Sequence, residues 1–195
     1  MEHERDTWDQ RYRSGSHRSL DPDPLLVESY RDFIEPLFPQ PGTALDVAGG
    51  AGRHAAWLAH RGWRVTLVDV SAVAIEQARA NAGEVAEKIK FEVGDLESFE
   101  LGTQPYDLVL VFFYLQRDLF PRLIEALKPG GLLIYKTYTH MAPKFGRGPS
   151  HPMHLLGENE LLHAVPEMTV LHYLETVHER GIAELVARKR SPSTR

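Results

Sequence analysis

The chain has 195 residues, of which 43% are hydrophobic and 25% charged, and its formal net charge is -5. These values are typical of one globular domain with a sizeable core. The acidic balance argues against bulk capture of nucleic acid, which needs a basic surface. The absence of cysteine excludes disulfides, thiolate metal ligands and a cysteine nucleophile.

No segment of the sequence reaches the ~18 consecutive apolar residues of a membrane span. The N-terminus is charged and does not continue into the apolar stretch of a secretory signal. We therefore predict a cytoplasmic protein that does not enter a membrane.

The first 42 residues are predicted to form a helical cap. Thr7–Tyr12 reads as a short helix that places Trp8 and Tyr12 one turn apart on one face. A loop with two Asp-Pro steps follows, and apolar residues at helical spacing predict a second helix over Leu25–Phe38. This cap is expected to share one structural domain with residues 43–190, and residues 191–195 form a tail.

Strand and helix patterns then alternate along the chain. The five predicted strands are Ala44–Ala48, Arg64–Val68, Lys90–Val93, Asp107–Phe113 and Leu132–Tyr138. Their alternation with amphipathic helices implies parallel strands joined by right-handed crossovers. Thr169–Val177 and Ile182–Arg188 are separated by four turn-forming residues, which predicts a final antiparallel hairpin.

The stretch Thr43–Ala55 carries the most chemical information. An apolar strand runs directly into three glycines within four residues, and a helix follows. Such a junction brings a ligand close to bare backbone and points a helix N-terminus at it. Asp46 lies beside this loop, where a carboxylate would repel a pyrophosphate but pair with an ammonium group. An amino-acid-bearing nucleoside meets these requirements, and S-adenosylmethionine (SAM) is the obvious one.

Four features in chain order resemble the class I SAM-dependent methyltransferases. They are Asp46–Gly52, the acid Asp69 after the second strand, Gly94-Asp95-Leu96 after the third, and Leu127–Gly131 before the fifth. The resemblance covers Thr43 to Arg188 and implies an α/β, Rossmann-like fold. Its seven-stranded, mostly parallel sheet would carry helices on both faces and a C-terminal antiparallel β-hairpin. The implied activity is methyl transfer from SAM, of the EC 2.1.1 type.

Within that family, the N-terminal stretch Trp8–Tyr12 and the short C-terminal half are similar to the small tellurite-resistance-type methyltransferases. In those proteins the N-terminal segment folds over the cofactor. The resemblance therefore implies that Trp8, Arg11 and Tyr12 lie near the methionine end of SAM. The activity on tellurite does not carry over on so few residues.

The resemblance assigns a role to each motif residue. Asp46 would pair with the SAM ammonium, Asp69 would accept the ribose hydroxyls, and Asp95 would accept the adenine amino group. Gly50 and Gly52 would let the chain pass under the methionine and ribose. Each acid also has a structural alternative as a turn or helix cap. The predicted cofactor residues are Trp8, Tyr12, Asp46, Ala48, Gly49, Gly50, Gly52, Asp69, Val70, Asp95, Leu96 and Phe112.

The loop after the fifth strand is rich in histidine, including the pair His151 and His154. No acidic residue nearby completes a known zinc motif, so no metal site is predicted. The catalytic residues are left unassigned, with His54, His140 and Tyr114 as possible general bases.

Two other functions remain open. Gly50–Ala55 also fits the G-x-G-x-x-A pattern of a nicotinamide-dependent dehydrogenase, although Asp46 and the terminal hairpin disfavour it. A non-catalytic SAM-binding or regulatory module is the second alternative. The methyl acceptor is expected to be a small molecule, and the sequence indicates neither its identity nor the oligomeric state.

Overall fold

The computed structural model describes residues 2–15, 19–101 and 106–191. The α-helices are α1 (Glu2–Arg13), α2 (Pro24–Ser29), α3 (Glu35–Leu37), α4 (Arg53–His60), α5 (Ala72–Ala82), α6 (Leu119–Ala126) and α7 (Glu160–His163). The strands are β1 (Thr43–Val47), β2 (Arg64–Asp69), β3 (Ile89–Val93), β4 (Tyr106–Phe112), β5 (Leu127–Tyr138), β6 (Met168–Thr176) and β7 (Ile182–Lys189). Apart from Ser191, the predicted tail lies outside the described residues.

The chain divides into two compact units, residues 1–100 and 101–195. The seven strands belong to one sheet, with the order β3-β2-β1 in the first unit and β4-β5-β7-β6 in the second. The pairs β1–β2, β2–β3 and β4–β5 are parallel, whereas β5–β7 and β6–β7 are antiparallel. The predicted fold class is therefore confirmed. The proposed division into a helical cap and residues 43–190 stays a prediction.

In the first unit, β1 and β2 run in register, with Val47 opposite Val68. Their apolar side chains are fully buried, which explains the nearly continuous hydrophobic runs. Because parallel strands in register end together, the loops that follow β1 and β2 lie side by side. This places the glycine loop next to Asp69.

Both ends of helix α5 lie at residues that commonly begin or end helices. Ser71 has extended backbone angles and its Oγ accepts a hydrogen bond from the Ala74 amide at 3.0 Å, as an N-cap does. Gly83 follows the last helical residue with a φ of 52°. Both ends of the helix thus coincide with local sequence signals, a serine at the cap and a glycine after the last turn.

The second predicted helix contains a wider turn. Asp23 caps α2 by accepting from the Leu25 amide at 3.0 Å, and a π-helical turn over Tyr30–Ile34 joins α2 to α3. Pro36 follows this turn. Its ring would clash with the carbonyl of the residue four positions earlier in a regular α-helix, and a wider turn relieves that clash.

In the second unit, β5 begins earlier than predicted. Leu127 already pairs with Tyr106, and Leu132 pairs with Leu108, so the residues between them form a bulge within the strand. The segment Leu127–Gly131, expected before the fifth strand, is thus part of β5, where Gly130 has a φ of 82°. The terminal hairpin is confirmed, since Thr176 pairs with Ile182. No helix in the described ranges is long and apolar enough to cross a membrane.

Candidate functional site

Asp46, near the end of β1, is a buried carboxylate with one unsatisfied oxygen. Its residue is 1% exposed, and Oδ2 accepts a hydrogen bond from the Ala55 amide at 3.2 Å. Oδ1 is buried and has no hydrogen-bond partner in the described residues. Burial raises the pKa of Asp46 to about 7, against the opposing effects of the Ala55 amide and the Arg53 guanidinium. Asp46 therefore caps the start of α4 with one oxygen and leaves the other for a donor.

Asp69 connects the two loops that follow β1 and β2. Its Oδ2 accepts from the Gly50 amide at 2.9 Å, and its Oδ1 accepts from the Ser71 amide at 2.9 Å. Burial raises the pKa of Asp69 to about 6, while these two hydrogen bonds act in the opposite direction. The structural alternative for Asp69 is thus present. Each carboxylate oxygen has two lone pairs, so the same group can still accept from a ligand hydroxyl.

The three loop glycines have three different neighbours. A Cβ on Gly49 would lie 2.8 Å from the Asp46 carboxylate, and a Cβ on Gly52 would lie 2.8 Å from the Cβ of Ala78. Gly52 therefore lets α4 pack against α5, a reason that differs from the predicted passage under a ligand. On Gly50, a Cβ would overlap the hydroxyl of Tyr12.

Ala48 is the residue in this loop that sequence reasoning misjudged. It was predicted as the last residue of a strand, but it follows β1 with a φ of 52°. This left-handed conformation places the Cβ close to the following carbonyl oxygen and costs roughly 1–2 kcal/mol in an L-residue. An alanine carries no sequence signal for a positive φ.

Helix α1 brings Tyr12 to the glycine loop. Tyr12 is buried, and burial together with the nearby carboxylates of Asp69 and Asp46 raises the pKa of its hydroxyl. The rings of Trp8 and Tyr12 have centroids 6.2 Å apart. The Arg11 guanidinium lies 4.7 Å from the Trp8 ring centroid.

Asp9 attaches this helix to α5, and sequence reasoning did not find it. Its Oδ1 accepts from the Ser71 hydroxyl at 2.5 Å and from the Val73 amide at 3.3 Å. Gln77 Nε2 also donates to the Tyr12 carbonyl at 3.2 Å. An acid on a predicted helix gives no hint of a partner more than sixty positions away.

Asp95 occupies a tight turn after β3. Its Oδ1 accepts from the Glu97 amide at 3.0 Å, and its carbonyl accepts from the Phe99 amide at 2.7 Å. Leu96 is buried, and Val70 is half-buried directly after Asp69. The turn alternative for Asp95 is present, and the contact with adenine stays a prediction.

Two of the possible general bases are occupied by other contacts. His54 is 3% exposed, and its Nε2 accepts from the Asp23 amide at 3.2 Å. This bond anchors the start of α2 to α4. The Tyr114 hydroxyl donates to Gln116 Oε1 at 2.6 Å, whereas His140 is exposed.

The remaining predicted site residue, Phe112, is buried at the end of β4 in the second unit. Among the described residues, no group of three or more His, Cys, Asp or Glu side chains could hold a metal ion. The rings of His151 and His154 have centroids 6.0 Å apart.

Comparison with known families gives a match over the same part of the chain. A family model described as "Methyltransferase domain" matches residues 44–131. The ubiquinone/menaquinone biosynthesis C-methyltransferase UbiE of Rubrivivax gelatinosus is 36% identical over 109 residues, 52% of this chain and 41% of that protein. The tRNA 5-carboxymethoxyuridine methyltransferase of Escherichia coli (strain K12) is 36% identical over 124 residues, 58% of this chain and 47% of that protein. The chain spans about half the length of the curated relatives it matches.

Solved structures share the fold. TehB from Haemophilus influenzae superposes with a TM-score of 0.71 at 19% identity, covering 93% of this chain and 67% of that one. The N-methyltransferase NodS from Bradyrhizobium japonicum WM9, in complex with S-adenosyl-L-homocysteine (SAH), gives a TM-score of 0.65 at 20% identity. That match covers 88% of this chain and 91% of NodS. At such identities the likeness shows the fold alone.

Proposed function

We propose that this chain is a class I SAM-dependent methyltransferase, which binds SAM at the carboxyl ends of β1 and β2 and methylates a small molecule. Bound SAM would supply an electrophilic methyl group, which the acceptor atom would take as the carbon–sulfur bond breaks and its electron pair stays on sulfur in SAH. The acceptor's proton, where it has one, passes to solvent or to a base.

The observation that carries this proposal is the unpaired Oδ1 of Asp46. A buried, unsatisfied carboxylate oxygen is costly, and a ligand ammonium would satisfy it with a charge-assisted hydrogen bond. The amino-acid portion of SAM carries such a group. A dinucleotide would instead bring a pyrophosphate toward two buried acids, Asp46 and Asp69, which disfavours the dehydrogenase alternative.

The other residues around the loop would bind and shield the cofactor. Asp69 holds the glycine loop through the Gly50 amide, and its remaining lone pairs would accept the ribose hydroxyls. Tyr12 lies over Gly50 on a helix that is attached to α5, so α1 would help to exclude water from the methionine portion. Exclusion of water and alignment of the acceptor are the main requirements of methyl transfer.

A small acceptor agrees with the formal net charge of -5, since an acidic surface disfavours nucleic acid. The matched relatives are named for different acceptors, one in quinone biosynthesis and one in tRNA. The names of the relatives therefore do not indicate the acceptor of this chain. The cytoplasm remains its predicted location.

Calorimetric titration with SAM, SAH and NAD in parallel tests the proposal. We expect micromolar binding of the two adenosyl ligands and none of NAD.

Asp46→Ala should weaken SAM binding by at least about 1.5 kcal/mol, the scale of a hydrogen bond to a charged group. Asp32→Ala, at an exposed acid that pairs with Arg31, is the control and should leave binding unchanged.

Each other outcome has a definite meaning. Binding of NAD alone would overturn the methyltransferase proposal. Unchanged SAM affinity in Asp46→Ala would remove Asp46 from the site. Binding of SAM without release of SAH in a broad screen of acceptors would favour the non-catalytic module.

A further inference from the structure

We infer that the carboxyl ends of β4 and β5 form the acceptor subsite, and that it takes an uncharged, planar aromatic or heteroaromatic ring stacked on Phe113. This inference rests on the proposed function, because it names the class of molecule that receives the methyl group. In open α/β sheets, ligands bind outside the carboxyl ends of the strands. Phe113 follows β4 directly, and Tyr138 is the last residue of β5.

Phe113 is held in a conformation that a bulky residue rarely adopts. Its φ is 59°, in the left-handed region, where non-glycine residues are strained and often functional. The Phe113 amide donates to the Lys136 carbonyl at 2.7 Å, which fixes the backbone in this position. The residue is nevertheless 36% exposed. A strained backbone position thus carries a partly exposed aromatic ring directly after a strand.

Tyr138 provides the second aromatic surface, and it is held in place from another direction. Its ring centroid lies 5.0 Å from that of Phe113, with 39° between the ring planes. Gly148 packs on Tyr138, since a Cβ on Gly148 would lie 2.6–2.9 Å from atoms of the tyrosine ring. The backbone of the loop after β5 thus covers Tyr138, while Phe113 remains accessible.

Arg117 anchors the later part of the loop that follows β5. Its Nη1 and Nη2 donate to the carbonyls of Met153 and Leu155 at 2.8 and 2.9 Å. Its Nε and Nη2 also donate to the Glu160 carboxylate at 2.6 and 3.0 Å. The guanidinium thus makes two hydrogen bonds to loop carbonyls and two to Glu160 at the start of α7, which together fix this end of the loop.

The charges beside the aromatic pair compensate each other. Lys136 is 5% exposed, and its Nζ lies 2.8 Å from Glu184 Oε1 across the β5–β7 pair and 5.8 Å from the Phe113 ring centroid. The other oxygen of Glu184 lies 3.8 Å from His172 Nε2. Lysine and glutamate together carry no net charge. A charged acceptor would gain little here and would lose its hydration, so an uncharged ring fits best.

Three probes of similar size separate the contributions of planarity and charge: 2-naphthol, 2-naphthoate and 2-decalol. Their binding to the full chain, with SAH present, can be measured by saturation-transfer NMR. We expect 2-naphthol to bind at least tenfold more tightly than either of the others. Equal binding of 2-decalol, tighter binding of 2-naphthoate, or no binding of 2-naphthol would each overturn the inference.

Substitutions at Phe113 test the stacking surface itself. Phe113→Leu keeps apolar bulk and the same backbone strain but removes the planar ring, so 2-naphthol affinity should fall at least fivefold. Phe113→Tyr keeps the ring and should keep the affinity. Val170→Ala, at an exposed apolar residue of β6, should also keep it. If Phe113→Leu does not fold, Tyr138→Leu replaces it as the variant expected to lose 2-naphthol affinity.

SAH affinity, measured by calorimetry on the same variants, separates this inference from the proposed function. Unchanged SAH binding together with lost 2-naphthol binding supports the subsite. Retained 2-naphthol binding in both Phe113→Leu and Tyr138→Leu refutes it. Failure of the wild-type chain to bind SAH would instead refute the proposed function, whatever the naphthol result.

Discussion

The hydroxyl of Tyr12 lies against Gly50, in the space that a side chain on Gly50 would occupy. These residues come from α1 and from the loop after β1, so this contact joins the start of the chain to the candidate cofactor site. Gly50 also has a φ of 56°. Two separate constraints, one conformational and one steric, therefore require glycine at this position.

Gly50→Ala should destabilise the protein by about 2 kcal/mol or more, through the left-handed backbone and the overlap with Tyr12. Tyr12→Phe should restore part of that loss, because the next ring atom, Cζ, would lie 3.3 Å from the added Cβ. Urea denaturation of both single variants and the double variant measures the coupling. Additivity within about 0.5 kcal/mol would mean that Tyr12 does not contact Gly50 in solution.

The raised pKa of Asp46 predicts a stability that falls as the pH rises. The folded-state pKa is about 7, whereas an unfolded aspartate titrates at about 3.9. The native state therefore binds the proton more tightly, and its stability decreases between about pH 4 and pH 7. Asp46→Asn should reduce this dependence. Asp69, with a pKa of about 6, would retain a smaller decrease of the same sign.

Denaturation midpoints at pH 5, 6, 7 and 8 check that prediction. If the denaturation midpoint of Asp46→Asn falls with rising pH as steeply as that of the wild type, Asp46 is already ionised throughout this pH range.

Ligand affinity should show the opposite dependence on pH. If the SAM ammonium pairs with the ionised form of Asp46, as proposed, SAM affinity should increase as the pH rises toward about 7. 5′-Methylthioadenosine lacks the amino-acid portion and serves as the matched ligand. Calorimetry should find little pH dependence for it. The same pH profile for both ligands would place the ammonium away from Asp46.

Ala48→Gly should stabilise the protein by up to about 1 kcal/mol. It removes the strain of a φ of 52°, and the added freedom of the unfolded chain offsets part of the gain. Ala56→Gly, in the middle of α4, is the matched control and should cost about 1 kcal/mol. Guanidinium denaturation distinguishes the stability gain expected for Ala48→Gly from the loss expected for Ala56→Gly. A loss of stability in Ala48→Gly would contradict the left-handed conformation.

Asp9→Ala should loosen α1 and weaken SAM binding. The change removes the acceptor of the Ser71 hydroxyl and the Val73 amide, at a cost of about 1–3 kcal/mol. Asp6→Ala, at an exposed acid on the same helix, should change neither stability nor affinity.

Deletion of residues 1–20 should reduce SAM affinity or turnover while the fold persists. Full binding and activity after that deletion would refute the role of α1 as a lid.

Local signals in the sequence were sufficient for most of the fold. Apolar runs bounded by glycine, proline and aspartate located the strands to within one or two residues in most cases, because strand burial and chain breaks are properties of neighbouring positions. β5 is the exception. Its bulge opposite Tyr106 depends on the register with β4, which no local pattern encodes.

The sequence by itself determined the class of fold, the cap of α5 and the acids at the strand ends, since each follows from residues close together in the chain. The tertiary structure decided which groups those acids contact. It paired Asp69 with Gly50, attached Asp9 to Ser71, and left Oδ1 of Asp46 without a partner. It also set the positive φ angles of Ala48 and Phe113. These features depend on contacts between distant segments, and such contacts arise only when the packed chain brings those segments together.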